Sequence, residues 1–132
     1  MAYPAVTAGY TAILAIIYLG LSAWVVAGRG RYRVNLGDGG NPALNKRIRA
    51  HGNFAEYVPL ILLMTALLEG GGTSPFVIHT LLLLLVAARL LHPVGLLAAE
   101  SSATQFSCRG GGMAVTVLVM VAAALLLLAR VL

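Results

Sequence analysis

The sequence predicts an all-α membrane protein, a bundle of four transmembrane helices. Of its 132 residues, 60% are hydrophobic and only 10% are charged, whereas soluble domains carry roughly 25% charged residues. The apolar residues also gather into four runs, three of which approach the roughly 20 residues that cross about 30 Å of hydrocarbon. We therefore expect residues 1–132 to form a single membrane domain with helices at about 5–28, 42–69, 75–92 and 108–131.

The first helix is predicted from the run AVTAGYTAILAIIYLGLSAWVVAG, which begins at Ala5. No basic segment precedes this run and no small-residue cleavage site follows it, so we expect a retained span and not a cleaved signal. The second run, YVPLILLMTALL, is too short to span alone. Its helix must begin upstream near Leu44, after the N-cap and first-turn pair of Asn41 and Pro42. The polar residues before Tyr57 are then helical too.

The third and fourth helices are predicted from similar signals. Ser74 and Pro75 repeat the start signal directly after the glycines that close helix two, which indicates a short hairpin. From Pro93 onward the run PVGLLAAESSATQFSCRGGG is too polar and glycine-rich to continue the span, so we expect a mobile loop there. Ser107 is the expected cap of helix four, which places Arg109 in the first turn of that helix.

The distribution of charge predicts the topology. The turn EGGGTS between helices two and three has no basic residue. Most of the basic residues lie between the first two runs instead, so by the positive-inside rule the first and third loops are cytoplasmic. Topology and anionic headgroups explain the cations better than nucleic acid does. The lone Cys108 excludes an intrachain disulfide and has no metal-site spacing. Six of the nine Lys and Arg lie between the first two runs: Arg29, Arg31, Arg33, Lys46, Arg47 and Arg49.

A polar stripe begins the second helix, within RIRAHGNFAEYVP. At about 100° per residue, Arg49, Asn53 and Glu56 fall within roughly 60° of one another, with Tyr57 beside them and His51 turned away. A charge in the bilayer costs about 2.5–3.5 kcal/mol on insertion scales, so the stripe must face protein or a water-filled cavity. The simpler alternative is an ion pair that only holds the bundle together.

Three further residues lie at the same depth. Arg89 and His92 share one face near the end of helix three, although the alternatives are that Arg89 extends to the headgroups and that His92 caps the helix end. Arg109 is expected where the helix dipole repels a cation, a position that makes sense if an anion binds there. Several cations, a carboxylate and an amide around one cavity fit a zwitterionic ligand with more than one carboxylate.

The run RAHGNFAEYVP resembles the signature of the MAPEG family, membrane-associated proteins in eicosanoid and glutathione metabolism. The segments GRGRYRV, ARLLH and RGGG match the family more weakly, and GDGG resembles its bacterial branch. The resemblance implies a homotrimer in a bacterial inner membrane that binds glutathione between subunits, with Arg109 holding the thiolate. Leu96 departs from the family, which has a tyrosine there. The implied glutathione contacts are Arg29, Arg49, Asn53, Glu56, Tyr57 and His92.

On this basis we expect a membrane-embedded glutathione transferase or peroxidase that acts on hydrophobic electrophiles or lipid hydroperoxides. Glutathione is the expected co-substrate, and no metal is expected. A nearby guanidinium and a helix N-terminus both lower the pKa of a thiol from about 8.5. The main alternative is a non-catalytic membrane protein that binds lipid or glutathione. A small four-span drug exporter ranks last because helix one has no carboxylate.

Overall fold

The computed structural model describes residues 3–132, and all regular structure in that range is helical. The helices are α1 (Ala5–Tyr32), α2 (Pro42–Gly70), α3 (Pro75–Leu97) and α4 (Gln105–Leu128). The opening of α4, Gln105–Gly110, has π-helical turns, and the remainder is α-helical. Each of the four is long and apolar enough to cross a membrane. The predicted four-helix membrane fold is therefore confirmed.

Helices α2 and α3 form the middle of the bundle, because each of them packs against all three of the other helices. Helix α1 also touches α3, whereas α1 and α4 do not meet within residues 3–132. The side chain of Asn41 caps α2 by accepting from the backbone nitrogen of Leu44 at 3.0 Å, with Pro42 in the first turn, as expected. The buried core runs along these contacts and includes Leu14, Phe54, Ile61, Leu82 and Val119.

The end of the bundle at the α2–α3 hairpin is held by two charged side chains. The Glu69 carboxylate accepts hydrogen bonds from the backbone nitrogens of Val6 and Thr7, both at 2.8 Å, and from the Thr7 hydroxyl at 2.7 Å. This carboxylate therefore caps α1, which has no side-chain cap of its own. Arg130 donates to the backbone oxygen of Gly71 and, at 2.8 Å, to the hydroxyl of Thr73.

At the opposite end the boundaries differ from the prediction. Helix α1 continues to Tyr32, and α3 continues past Pro93 to Leu97. Proline removes one helical hydrogen bond, but Gly95 and Leu96 beyond it are buried and favour continued helix. The expected long loop shrinks to residues 98–104.

The start of α4 also corrects a prediction. Ser107 does not cap the helix, because the helix begins two residues earlier and the Ser102 hydroxyl accepts from the backbone nitrogen of Gln105 at 3.1 Å. Arg109 is consequently the fifth residue of α4 and lies beyond its first turn. The free backbone N–H groups that make a helix N-terminus positive are confined to that first turn. The helix dipole therefore contributes little at Arg109.

Candidate functional site

A cavity of about 490 Å³ opens where α2 begins, α3 ends and α4 begins. It lies at the end of the bundle that carries the first and third loops. Its wall combines cations, a carboxylate, an amide, a phenol and apolar side chains. The lining residues are Arg49, Asn53, Glu56, Tyr57, His92, Leu96, Gln105, Phe106, Arg109, Gly110 and Met113.

Helix α2 supplies four polar residues of the cavity from a little over two turns. Arg49, Asn53, Glu56 and Tyr57 all line it, as the helical spacing predicts. Arg49 Nη1 lies 4.0 Å from Glu56 Oε1, and these side chains are 61% and 52% exposed. An exposed pair of this kind stabilises a protein by only about 0–1 kcal/mol. Because both partners belong to α2, the pair does not hold one helix to another, and both groups remain accessible to a ligand.

Helix α3 contributes His92, which is buried at the cavity wall. Its Nδ1 lies 3.3 Å from the backbone oxygen of Arg109. A carbonyl oxygen only accepts, so Nδ1 carries the proton in this contact and Nε2 is left as an acceptor in the neutral ring. His92 therefore joins α3 to α4 and does not cap the carbonyls of its own helix.

Arg109 reaches the cavity because α3 and α4 approach each other closely at Gly95. A Cβ atom at Gly95 would lie 2.2 Å from the backbone nitrogen of Arg109 and 2.7 Å from its Cα. Arg109 also belongs to the π-helical opening of α4, and π-helical turns are frequent at functional sites. Its exposed guanidinium makes no hydrogen bond to any described residue. It is therefore free to bind an anion.

The first loop holds Arg29 away from this cavity. Its Nη1 donates to the backbone oxygens of Asn35 at 3.2 Å and Gly37 at 3.0 Å. Arg29 thus joins the last turn of α1 to the first loop, and within one chain it does not reach the other six candidate residues. His51 also points elsewhere, as predicted, with Nε2 3.1 Å from the Ser22 hydroxyl and its ring stacked on Tyr18.

One group of lining residues could not be identified from the sequence, and one alternative for a named residue is excluded. Gln105, Phe106 and Met113 line the cavity but fell in or beside the segment predicted to be a loop. The spacing of Gln105, Arg109 and Met113, four residues apart, is the helical signal that identifies this face. Arg89 was expected at the depth of the cavity. It is 1% exposed and buried within the bundle, so the alternative that it extends to the headgroups is wrong.

The chemistry of the wall suits an organic zwitterion better than a metal ion. Two guanidinium groups and one carboxylate complement a ligand with at least two anionic groups and one cationic group. Among residues 3–132 no three His, Cys, Asp or Glu side chains cluster as metal ligands.

Comparison with known proteins places this architecture in a family. The chain is 35% identical over 90 residues to inner membrane protein YecN of Escherichia coli strain K12, a match that covers 68% of this chain and 69% of the relative. The YecN protein of Escherichia coli O6:H1, strain CFT073, matches with the same figures. A model of the MAPEG family matches residues 7–129. The match spans all four helices, and the chain belongs to the MAPEG family.

Proposed function

We propose that this protein is a membrane-embedded glutathione transferase or peroxidase whose active site is the cavity between α2, α3 and α4. The observation that carries the proposal is the convergence of Arg49, Asn53, Glu56, Tyr57, His92 and Arg109 from three helices on that cavity. The MAPEG family includes glutathione transferases and peroxidases, and it also has non-enzymatic members. Family membership alone therefore does not imply catalysis, and we infer catalysis from the residues of the cavity.

Glutathione complements the charges of the cavity. It carries two carboxylates and one ammonium group, and the cavity offers two guanidinium groups and one carboxylate. We assign Arg49 to a carboxylate of glutathione, Glu56 to the γ-glutamyl amine and Asn53 to the peptide backbone. Charge-assisted hydrogen bonds of this kind are stronger than neutral ones and fix the orientation of the bound peptide. The thiol is then assigned to Arg109, the cation that α4 contributes to the cavity.

Arg109 is the proposed catalytic residue because its positive charge favours the thiolate over the thiol. A free thiol has a pKa of about 8.5, and an adjacent arginine lowers it. In the transferase reaction the thiolate attacks an electrophilic carbon, the C–S bond forms, and the leaving group departs with its electron pair. In the peroxidase reaction the thiolate attacks the outer oxygen of a hydroperoxide, which releases an alcohol. A second glutathione then converts the resulting sulfenic acid to glutathione disulfide and water.

The exposed charges of α2 support contact with a neighbouring subunit in the membrane, as in the homotrimer that the family resemblance implies. Arg49 and Glu56 are more than half exposed in one chain, yet charged side chains in a span face protein or water. We propose that a neighbouring subunit covers this open side of the cavity. The six cations around the first loop support a cytoplasmic location for the first and third loops, and the name of the YecN relative supports the bacterial inner membrane.

The test is thiol conjugation and hydroperoxide reduction by the purified protein in lipid nanodiscs. Chlorodinitrobenzene and cumene hydroperoxide serve as electrophile and oxidant. Arg109→Ala is expected to lower turnover by about 10²-fold, the order of effect for a lost electrostatic contact to a reacting group. Arg31→Ala is the matched control, because it removes an exposed arginine outside the cavity and should leave turnover unchanged.

Calorimetric titration with glutathione, run beside the turnover assay, separates the two function classes. Binding together with turnover supports the enzyme. Binding without turnover of any electrophile or hydroperoxide supports the non-catalytic alternative. If Arg109→Ala binds glutathione and turns over at the wild-type rate, Arg109 does not stabilise the thiolate.

A further inference from the structure

Arg89 is a buried cation directly behind the cavity. It lies on α3 and is 1% exposed, and it does not itself line the cavity. Its Nη1 donates to Asn53 Oδ1 of α2 at 2.6 Å. Its Nη2 donates to the backbone oxygen of Gly112 at 3.3 Å and to the hydroxyl of Thr116, both on α4. One guanidinium therefore joins three helices at the level of the proposed site.

The partners of Arg89 are all neutral. Within residues 3–132 the single side-chain ion pair joins Arg49 and Glu56 on the outer side of α2. Arg89 has only an amide, a carbonyl and a hydroxyl, and its Nε has no partner among the described residues. A buried charge without a counterion is costly, and charged residues within spans usually have a functional role. The charge of Arg89 is thus left to act on whatever fills the cavity.

The contact with Asn53 also fixes the polarity of that amide. A guanidinium has donors and no acceptor, so the Asn53 atom that faces Arg89 is the oxygen. The amide nitrogen is directed away from Arg89, and Nδ2 lies 3.6 Å from the sulfur of Met113, which lines the cavity. Asn53 therefore presents a donor to the cavity, and the ligand group opposite it must be an acceptor.

From these contacts we infer that Arg89 is a positioning residue for the thiol peptide. It holds Asn53 as a hydrogen-bond donor, and its unpaired charge favours the anionic form of the bound thiol. This inference rests on the proposed function. Two cations would then favour the thiolate: Arg109, which lines the cavity, and Arg89, which lies behind the cavity wall.

A substitution at Thr116 tests the charge of Arg89 without removing Arg89. Thr116 is fully buried, contacts the guanidinium and does not line the cavity. Thr116→Asp places a carboxylate against Nη2 and neutralises the charge, whereas Thr116→Asn introduces a side chain of the same shape without charge. A unit charge about 10 Å away, at an effective dielectric constant of about 20, changes a pKa by roughly one pH unit. The pKa of the bound thiol should therefore rise by about one pH unit in Thr116→Asp and stay unchanged in Thr116→Asn.

The readout is the ultraviolet absorbance of the glutathione thiolate, titrated against pH with saturating protein in nanodiscs. Arg89→Lys and Arg89→Met provide a second pair, which decides the question if Thr116→Asp does not assemble. Lysine keeps the charge and loses the planar fork, so glutathione affinity should fall about 10-fold while the pKa of the bound thiol is retained. Methionine removes both the charge and the planar fork, so glutathione affinity should fall and the pKa of the bound thiol should rise.

The two proposals fail in different ways. If wild-type protein binds no glutathione, the proposed function is wrong and the inference falls with it. If wild-type protein binds glutathione as the thiolate, but the pKa of the bound thiol is the same in Thr116→Asp and Thr116→Asn, the electrostatic role of Arg89 is wrong and the proposed function stands. Equal pKa values in Arg89→Lys and Arg89→Met would overturn the inference in the same way.

Discussion

Gly95→Ala is predicted to damage the site through the backbone of α4. The new Cβ would lie 2.2 Å from the backbone nitrogen of Arg109, and real Cβ contacts are not shorter than 3.0 Å. Relieving the clash from 2.2 Å to 3.0 Å moves the opening of α4 by about 0.8 Å, because the atoms that are struck are backbone and no side chain can rotate away. Overpacking of this kind costs about 1–3 kcal/mol of stability. A misplacement of about 1 Å in a catalytic group can cost about 10²-fold in rate.

The assay measures thermal unfolding and chlorodinitrobenzene conjugation side by side, with Gly111→Ala as the matched control. A Cβ at Gly111 meets nothing within 4 Å, so alanine there should stabilise the helix by about 0.5–1 kcal/mol. We expect Gly95→Ala to lower the Tm and to lower kcat about 10²-fold, with Gly111→Ala as active as wild type. Equal kcat values for Gly95→Ala and wild type would refute the claim that the close approach at Gly95 sets the position of Arg109.

Three further predictions follow from single contacts. Arg49→Ala should weaken glutathione binding about 10- to 100-fold in calorimetry by removing a charge-assisted contact, and an unchanged Kd would exclude Arg49 from the site. Glu69→Gln should destabilise the protein by about 1–2 kcal/mol, because an amide keeps only one of the two oxygens that cap α1, measured by thermal unfolding, and an unchanged Tm would contradict that role. In the first loop, hydrogen bonds from the Asn45 side chain and the Gly40 backbone lower the pKa of Asp38. Such a group contributes stability above its unfolded pKa and loses it as the pH falls through the folded pKa. The Tm difference between wild type and Asp38→Ala should therefore begin to narrow as the pH falls below about 4 and close only below the lowered folded pKa, and a difference that does not narrow with falling pH would exclude the carboxylate as its source.

The polar stripe could be predicted from the sequence because it lies within one helix. The spacing of Arg49, Asn53 and Glu56 fixes their shared face by helical geometry alone, whatever the rest of the chain does. His51 was placed on another face by the same geometry, and it packs against α1. The fold class likewise depends on run length and composition, which are properties of single segments.

The features that could not be predicted from the sequence depend on contacts between helices. Pro93 lacks a backbone donor and was expected to end α3, but burial of Gly95 and Leu96 against α4 carries the helix onward. The alternative that Arg89 extends to the headgroups stayed open, because nothing near it in sequence reveals that Asn53 and Thr116 are its partners. Pairings of this kind join residues 27 and 36 positions apart, and only the packed bundle shows them.

The most direct test of the central claim is calorimetric titration of wild-type protein in nanodiscs with glutathione and, separately, with cysteinylglycine. The dipeptide has the thiol and one carboxylate but lacks the γ-glutamyl group that we assign to Glu56. We predict saturable binding of glutathione and binding of cysteinylglycine at least 10-fold weaker. Absence of saturable glutathione binding, or equal affinity for the two thiols, would contradict the assignment of this cavity as a glutathione site.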